Sequence, residues 1–130
     1  MTAVVGLRTI VDLDEAGSTA RTLSATARHE AVLADGRHVL LLDDRGWGAS
    51  GPPDSWAATS VADVEATART VVGPDEPFAE HTAAEMAADH WAHLADVLRR
   101  AGVTVDADRL ARLPHEVVLS NRFRARLGSR

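Results

Sequence analysis

The 130-residue chain contains no cysteine, and all fourteen of its basic residues are arginine. Without cysteine there are no disulfides, no thiolate metal ligands and no cysteine nucleophile, and a reducing, cytoplasmic setting is expected. Aromatic residues are scarce: Trp47, Trp56, Trp91, Phe78 and Phe123 are all of them. The core is therefore built mainly from Val, Leu, Ile and Ala. No apolar run approaches the ~20 residues of a membrane span. The first residues carry no basic stretch, and Arg8 and Asp12 interrupt any signal-like apolar segment, so neither a membrane nor an export signal is expected. The lack of lysine, beside abundant Ala, Asp, Val and Arg, fits codon usage in a GC-rich bacterial genome. A net charge of −5 argues against nucleic acid as a partner.

What is present fits a single domain, residues 1–130. Residues 1–100 hold eight arginines and sixteen acids, and residues 101–130 hold six arginines and three acids. The basic tail (Arg122, Arg124, Arg126 and Arg130) is expected either to fold back on the acidic half or to dock on an acidic partner, with folding back preferred.

Period-two patterning places Val5, Leu7, Thr9, Val11 and Leu13 on one face of a first strand. A long second strand, residues 21–33, puts Leu23, Ala25, Ala27, His29, Ala31 and Leu33 on one face. Asp35-Gly36 marks a hairpin, because Gly supplies the positive φ that the turn needs. The returning strand, His38 to Asp43, is apolar on both faces through Val39-Leu40-Leu41-Leu42 and reads as a central, doubly covered strand. Ser60-Val61-Ala62-Asp63 starts a first helix that Gly73-Pro74 stops. A longer helix runs from about Thr82 to Ala101, with an apolar stripe through Ala84, Ala87, Trp91, Leu94, Ala95 and Leu98. A short helix is expected before Leu113-Pro114. Val117-Val118-Leu119 is ambiguous, and Ser120 caps a last helical turn. Strands first and helices after predict an α+β fold: an antiparallel sheet of three to four strands packed against two main helices.

The segment Asp43-Asp44-Arg45-Gly46-Trp47-Gly48-Ala49-Ser50-Gly51-Pro52-Pro53 reads as a glycine-rich loop. Its Gly46–Gly51 portion matches G-x-G-x-x-G, but the prolines that follow deny it the immediate helix on which a pyrophosphate would rest. With its lead-in strand the segment also resembles the D-x-R-G-x-G-x-S-x-x-P loop of α/β-hydrolases. In that family the loop shapes the surroundings of the active site, while the nucleophile sits in a separate G-x-S-x-G elbow. No such pentapeptide occurs here, so the match reads as local convergence on a strand-to-turn solution, and Ser50 reads as a surface serine. On the long helix, His81, Glu85, Asp89 and His93 recur at steps of four with His90 beside them, a polar face without the H-E-x-x-H spacing of zinc enzymes. His29 reads as a satisfied core histidine. Small residues at Ala25, Ala27 and Ala31 are expected to receive the long helix closely.

No complete catalytic or metal constellation emerges, and no cofactor is implied. The expectation is a non-catalytic module for protein interaction or regulation, its partner another protein or a second copy. The alternative is a small-molecule-binding protein, or a small hydrolase-like enzyme, working at the same loop. The residues expected to bind are Asp43, Asp44, Arg45, Trp47, Ser50 and Trp56, since a connection of about fifteen residues is usually functional or mobile and Trp is enriched at interface hot spots.

Overall fold

A computed structural model describes residues 3–19, 21–50 and 59–127. The fold is α+β. Three strands, β1 (Val4–Leu13), β2 (Thr22–Leu33) and β3 (His38–Ser50), are followed by helices α1 (Val61–Val71), α2 (Ala83–Arg100) and α3 (Ala107–Ala111). Strand β4 (His115–Leu119) and the short α4 (Asn121–Arg124) complete it. The strands form one sheet in the order β3-β2-β1-β4. β1 and β2, and β2 and β3, pair antiparallel, whereas β4 pairs parallel to β1. The sheet is thus mixed and not purely antiparallel. The ambiguous Val117–Leu119 segment supplies the parallel strand, and the helices between β3 and β4 provide the long crossover that a parallel pair requires.

The hairpin forms where expected. Gly36 has φ +88°, and its N–H donates to the Leu33 carbonyl at 2.9 Å. Asp35 braces the turn by accepting from the Arg37 backbone N–H at 3.0 Å and from its Nε at 2.7 Å. β1 alternates as read from Leu7 onward, but a register shift between Val4 and Gly6 turns Val5 out to half exposure and Val4 inward.

β3 corrects the reading of a central strand: it is an edge. Its apolar string comes from a bulge, not from double coverage. Glu30 pairs with Leu40 and His29 with Leu42, which leaves Leu41 as an extra residue. Leu41 is buried, Val39 and Leu42 pack against the same core cluster, and Leu40 is partly exposed.

The glycine-rich segment is also strand as far as Ser50. Gly46 lies opposite Thr26, Trp47 opposite Ala25 and Gly48 opposite Ser24. A Cβ on Gly46 would stand 2.5 Å from the Ala25 carbonyl oxygen, so the glycine answers close strand approach and not a loop bend.

The helix starts follow their caps. Ser60 accepts from the Asp63 N–H at 3.1 Å. Thr82 and Glu85 form a full reciprocal capping box on α2. Ser120 caps α4 by accepting from the Phe123 N–H at 3.2 Å. The helices bury two separate apolar clusters against one face of the sheet. Leu7, Ala31, Leu33 and Leu41 meet Leu94, Leu98, Val103 and Leu110 at one end. Val11, Leu13, Leu23 and Ala25 meet Val64, Ala68, Phe123 and Leu127 at the other. Of the small strand residues, Ala31 therefore receives α2 and Ala25 receives α1 and α4.

Candidate functional site

Between the two clusters, the covered face of the sheet turns polar. Along β1 the inward series runs Leu7, Thr9, Val11, and only Thr9 is polar. β2 places His29 directly opposite Thr9, and β4 places His115 opposite Leu7 on the same face. Thr9 is fully buried and His29 is 1% exposed. The Thr9 Oγ1 lies 2.9 Å from His29 Nδ1 and 2.6 Å from His115 Nε2, and the two imidazoles meet edge-on at 5.0 Å. A threonine hydroxyl carries one proton, so it donates to one imidazole and accepts from the other. The two rings therefore hold the same tautomer, both Nε2–H or both Nδ1–H, and the choice fixes whether His29 Nε2 is an N–H donor or a bare acceptor. That atom is buried with no hydrogen-bond partner.

The surroundings keep these rings neutral. Burial pushes His29 down to about 3, assisted by the positive field of His115, His90 and Arg45. His115 is lowered by burial and then by Arg69. His90, on α2, is lowered by burial and then by Arg45; its Nε2 is also buried without a partner, and its ring stands edge-on to Trp91 at 4.9 Å.

His29 and His115 form part of the wall of a cavity of about 170 Å³. Leu7, Val72, Trp91 and Leu113 supply apolar wall, and Arg69 stands with the histidines as the third polar side chain. Arg69 bridges α1 to β4 by donating from Nη2 to the His115 carbonyl at 3.1 Å. Two larger hollows, about 300 and 250 Å³, lie elsewhere. In the first, Asp96 and Arg99 pair with each other. The second lies beside Arg8, whose register neighbours are Glu30 and Glu116.

The arrangement suits binding better than reaction. Thr9 is sealed from solvent and is not presented as a nucleophile, and among the described residues no carboxylate lines the cavity to serve the histidines. Among the described residues no group of three His, Asp or Glu is placed to hold a metal. At the start of α2, Glu85 is committed to the cap, and His81, ahead of the helix, stands against Phe78 at 5.4 Å.

The residues singled out in the sequence are dispersed. Asp43 and Asp44 are exposed. Arg45 is drawn inward, donating from Nη1 to the Val71 carbonyl at 3.1 Å and pairing with Asp75 at 3.3 Å, which caps the end of α1. Trp47 is half-buried, packed on the second cluster with its ring edge-on to Phe123 at 6.4 Å. Ser50 shares a hydrogen bond with Thr22 at 3.2 Å on the exposed edge. Trp56 lies outside the described residues.

Sequence reasoning missed Thr9, Arg69 and His115, and it took His29 as satisfied, which holds for Nδ1 alone. The available signal was Thr9 itself, a polar residue on an otherwise apolar strand face level with a histidine on the next strand. Comparisons with protein-family models, with curated proteins and with solved structures gave no match.

Proposed function

We propose that this domain is a non-catalytic ligand-binding module of regulatory type, with its ligand in the cavity between the sheet, the C-terminal end of α1, the middle of α2 and the end of α3. One observation carries the reading: a fully buried histidine, held by a threonine–histidine chain, contributes to the cavity wall while one ring nitrogen has no partner. A buried polar atom left without a hydrogen bond costs about 1–3 kcal/mol. Proteins keep such groups where a water or ligand completes them.

The test is an NMR screen of small polar compounds on the full chain, read at the Trp91 indole and the Gly73 amide. Saturable shifts that vanish when Ala111→Phe fills the cavity support the reading. Silence at both signals throughout the screen overturns it.

A second reading rests on the other face of the sheet, which no helix covers among the described residues and where Leu40 is partly exposed. There the domain binds another protein or a second copy. Light scattering behind size exclusion, with Leu40→Glu as the comparison, tests self-association, and a monomer at all concentrations removes the second copy.

A further inference from the structure

We infer that the cavity takes a compact monoanion, a carboxylate of about six non-hydrogen atoms, its charge on Arg69 and its apolar body between Leu7, Val72, Trp91 and Leu113. This rests on the ligand-binding reading above and adds the ligand's charge and size.

Size follows from volume. The cavity is about 170 Å³, and an apolar cavity of about 150 Å³ is known to accept benzene. A nucleotide or a sugar chain does not fit.

Charge follows from the polar groups. Among the described residues the lining carries one guanidinium and two imidazoles and no acid. Arg69 donates to the His115 carbonyl and pairs loosely with Glu65 at 3.8 Å, which leaves N–H groups on the guanidinium over. The C-terminal end of α1 also reaches the cavity, at Val72 and Gly73, and a helix C-terminus repels anions. Arg45 donates to the Val71 carbonyl there, its own charge paired with Asp75, so the end of α1 is capped and Arg69 is the cation of the cavity wall. The lowered protonation of His29, His90 and His115 reports the same electropositive surroundings, after burial.

Body follows from the walls. The apolar side chains of the wall, Trp91 among them, leave room for a short branched or cyclic hydrocarbon and no place for a second charge. The histidine row then offers one hydrogen bond, whose direction Thr9 switches between donor and acceptor.

The experiment compares isobutyrate with isobutyramide, which share shape and differ in charge, by NMR titration of the full chain at neutral pH. The expected result is saturable movement of the Trp91 indole and Gly73 amide with isobutyrate, and binding of the amide at least about tenfold weaker. Arg69→Gln should abolish that preference, and Arg69→Lys should restore part of it with an unchanged fold. Equal binding of acid and amide, or acid binding indifferent to Arg69→Gln, overturns the charge assignment and leaves the ligand cavity standing. So does a silent isobutyrate beside a neutral or cationic compound that binds. Silence of every compound overturns the cavity reading itself.

Discussion

His29 and Glu30 are neighbours in β2, and both are buried, one on each face of the sheet. On the open face Glu30 has its charge matched: Arg28 Nε lies 3.1 Å from one carboxylate oxygen and His38 Nδ1 lies 3.1 Å from the other. On the covered face His29 has no countercharge, is kept neutral by burial, and leaves one nitrogen unpartnered. A buried ionisable group with partners on every side is complete in the folded chain. A buried one with an open valence beside a cavity is incomplete, which is why the site is assigned to the covered face and not to the more conspicuous charges of the open one.

The largest expected contrast between the faces is in packing. Phe123 is fully buried under Trp47 and the second cluster. Phe123→Ala should cost about 3–5 kcal/mol through the cavity it leaves. Ile10→Ala, on the opposite face of β1 and only half-buried, should cost about 1 kcal/mol or less. Urea unfolding of the two variants measures both. Equal losses would mean that the open face is covered in solution, which would favour the interaction reading.

Acid should separate the faces next. The folded pKa of His29 lies near 3, below the ordinary value of about 6.5, so the unfolded chain binds the extra proton between these limits. The contribution is complete above about pH 6.5 and is lost progressively as pH falls toward 3, by roughly 2–3 kcal/mol at about pH 4.5. His115 and His90 are shifted in the same direction and deepen the slope. The groups acting on the ring are His115 from β4, His90 from α2 and Arg45 from β3. Urea midpoints between pH 7 and 4.5 should fall steeply in the native chain and less steeply in His29→Gln. Parallel curves would place the acid sensitivity elsewhere.

Thr9→Val sharpens the comparison at a single oxygen. The substitution keeps the shape and deletes the hydroxyl, leaving both His29 Nδ1 and His115 Nε2 without the contacts they now make. A loss of about 1–3 kcal/mol is expected, with Thr9→Ser retaining most of the stability. If valine were neutral, water or rearranged rings would be satisfying the histidines, and the row would not be the fixed element described above.

These effects also mark where the sequence was readable. Local signals carried far: Asp35-Gly36, the caps at Ser60 and Ser120, the Pro114 stop and the alternation of β2 all specify structure within a few residues, and each took the form expected. Two features depend on partners distant in sequence. The bulge at Leu41 exists only against β2, and without that register four apolar residues in a row look like a buried central strand. Gly46 is required by the Ala25 carbonyl opposite it, so a run of glycines looked like a loop. The site has the same character. Thr9, His29, Arg69 and His115 span more than a hundred positions, and they meet only once β4 is laid parallel to β1.

The smallest effect belongs to the basic tail, where folding back was the preferred expectation and is what Arg122 and Arg126 do. Arg122 donates to Asp12 from Nε at 2.7 Å and from Nη2 at 2.8 Å, and it reaches Glu15 at 3.0 Å. Arg126 donates to the Thr19 carbonyl at 2.5 Å. The Arg122 hydrogen bonds, with that of Ser120, hold Asp12 well below the usual carboxylate range. The sign is therefore that of a depressed acid: the contribution is present above about pH 4 and disappears as pH falls below it, beginning only at the acid end of the range in which His29 acts. Arg122 is half exposed and Asp12 more than a third, so solvent and salt weaken the pair. Arg122→Gln should lower the urea midpoint only slightly at low salt, far less than Phe123→Ala, and the difference should fade at high salt. Were the loss to persist in salt and to match that of Thr9→Val, the clasp between α4 and β1 would be a principal support of the second apolar cluster and not a surface tie.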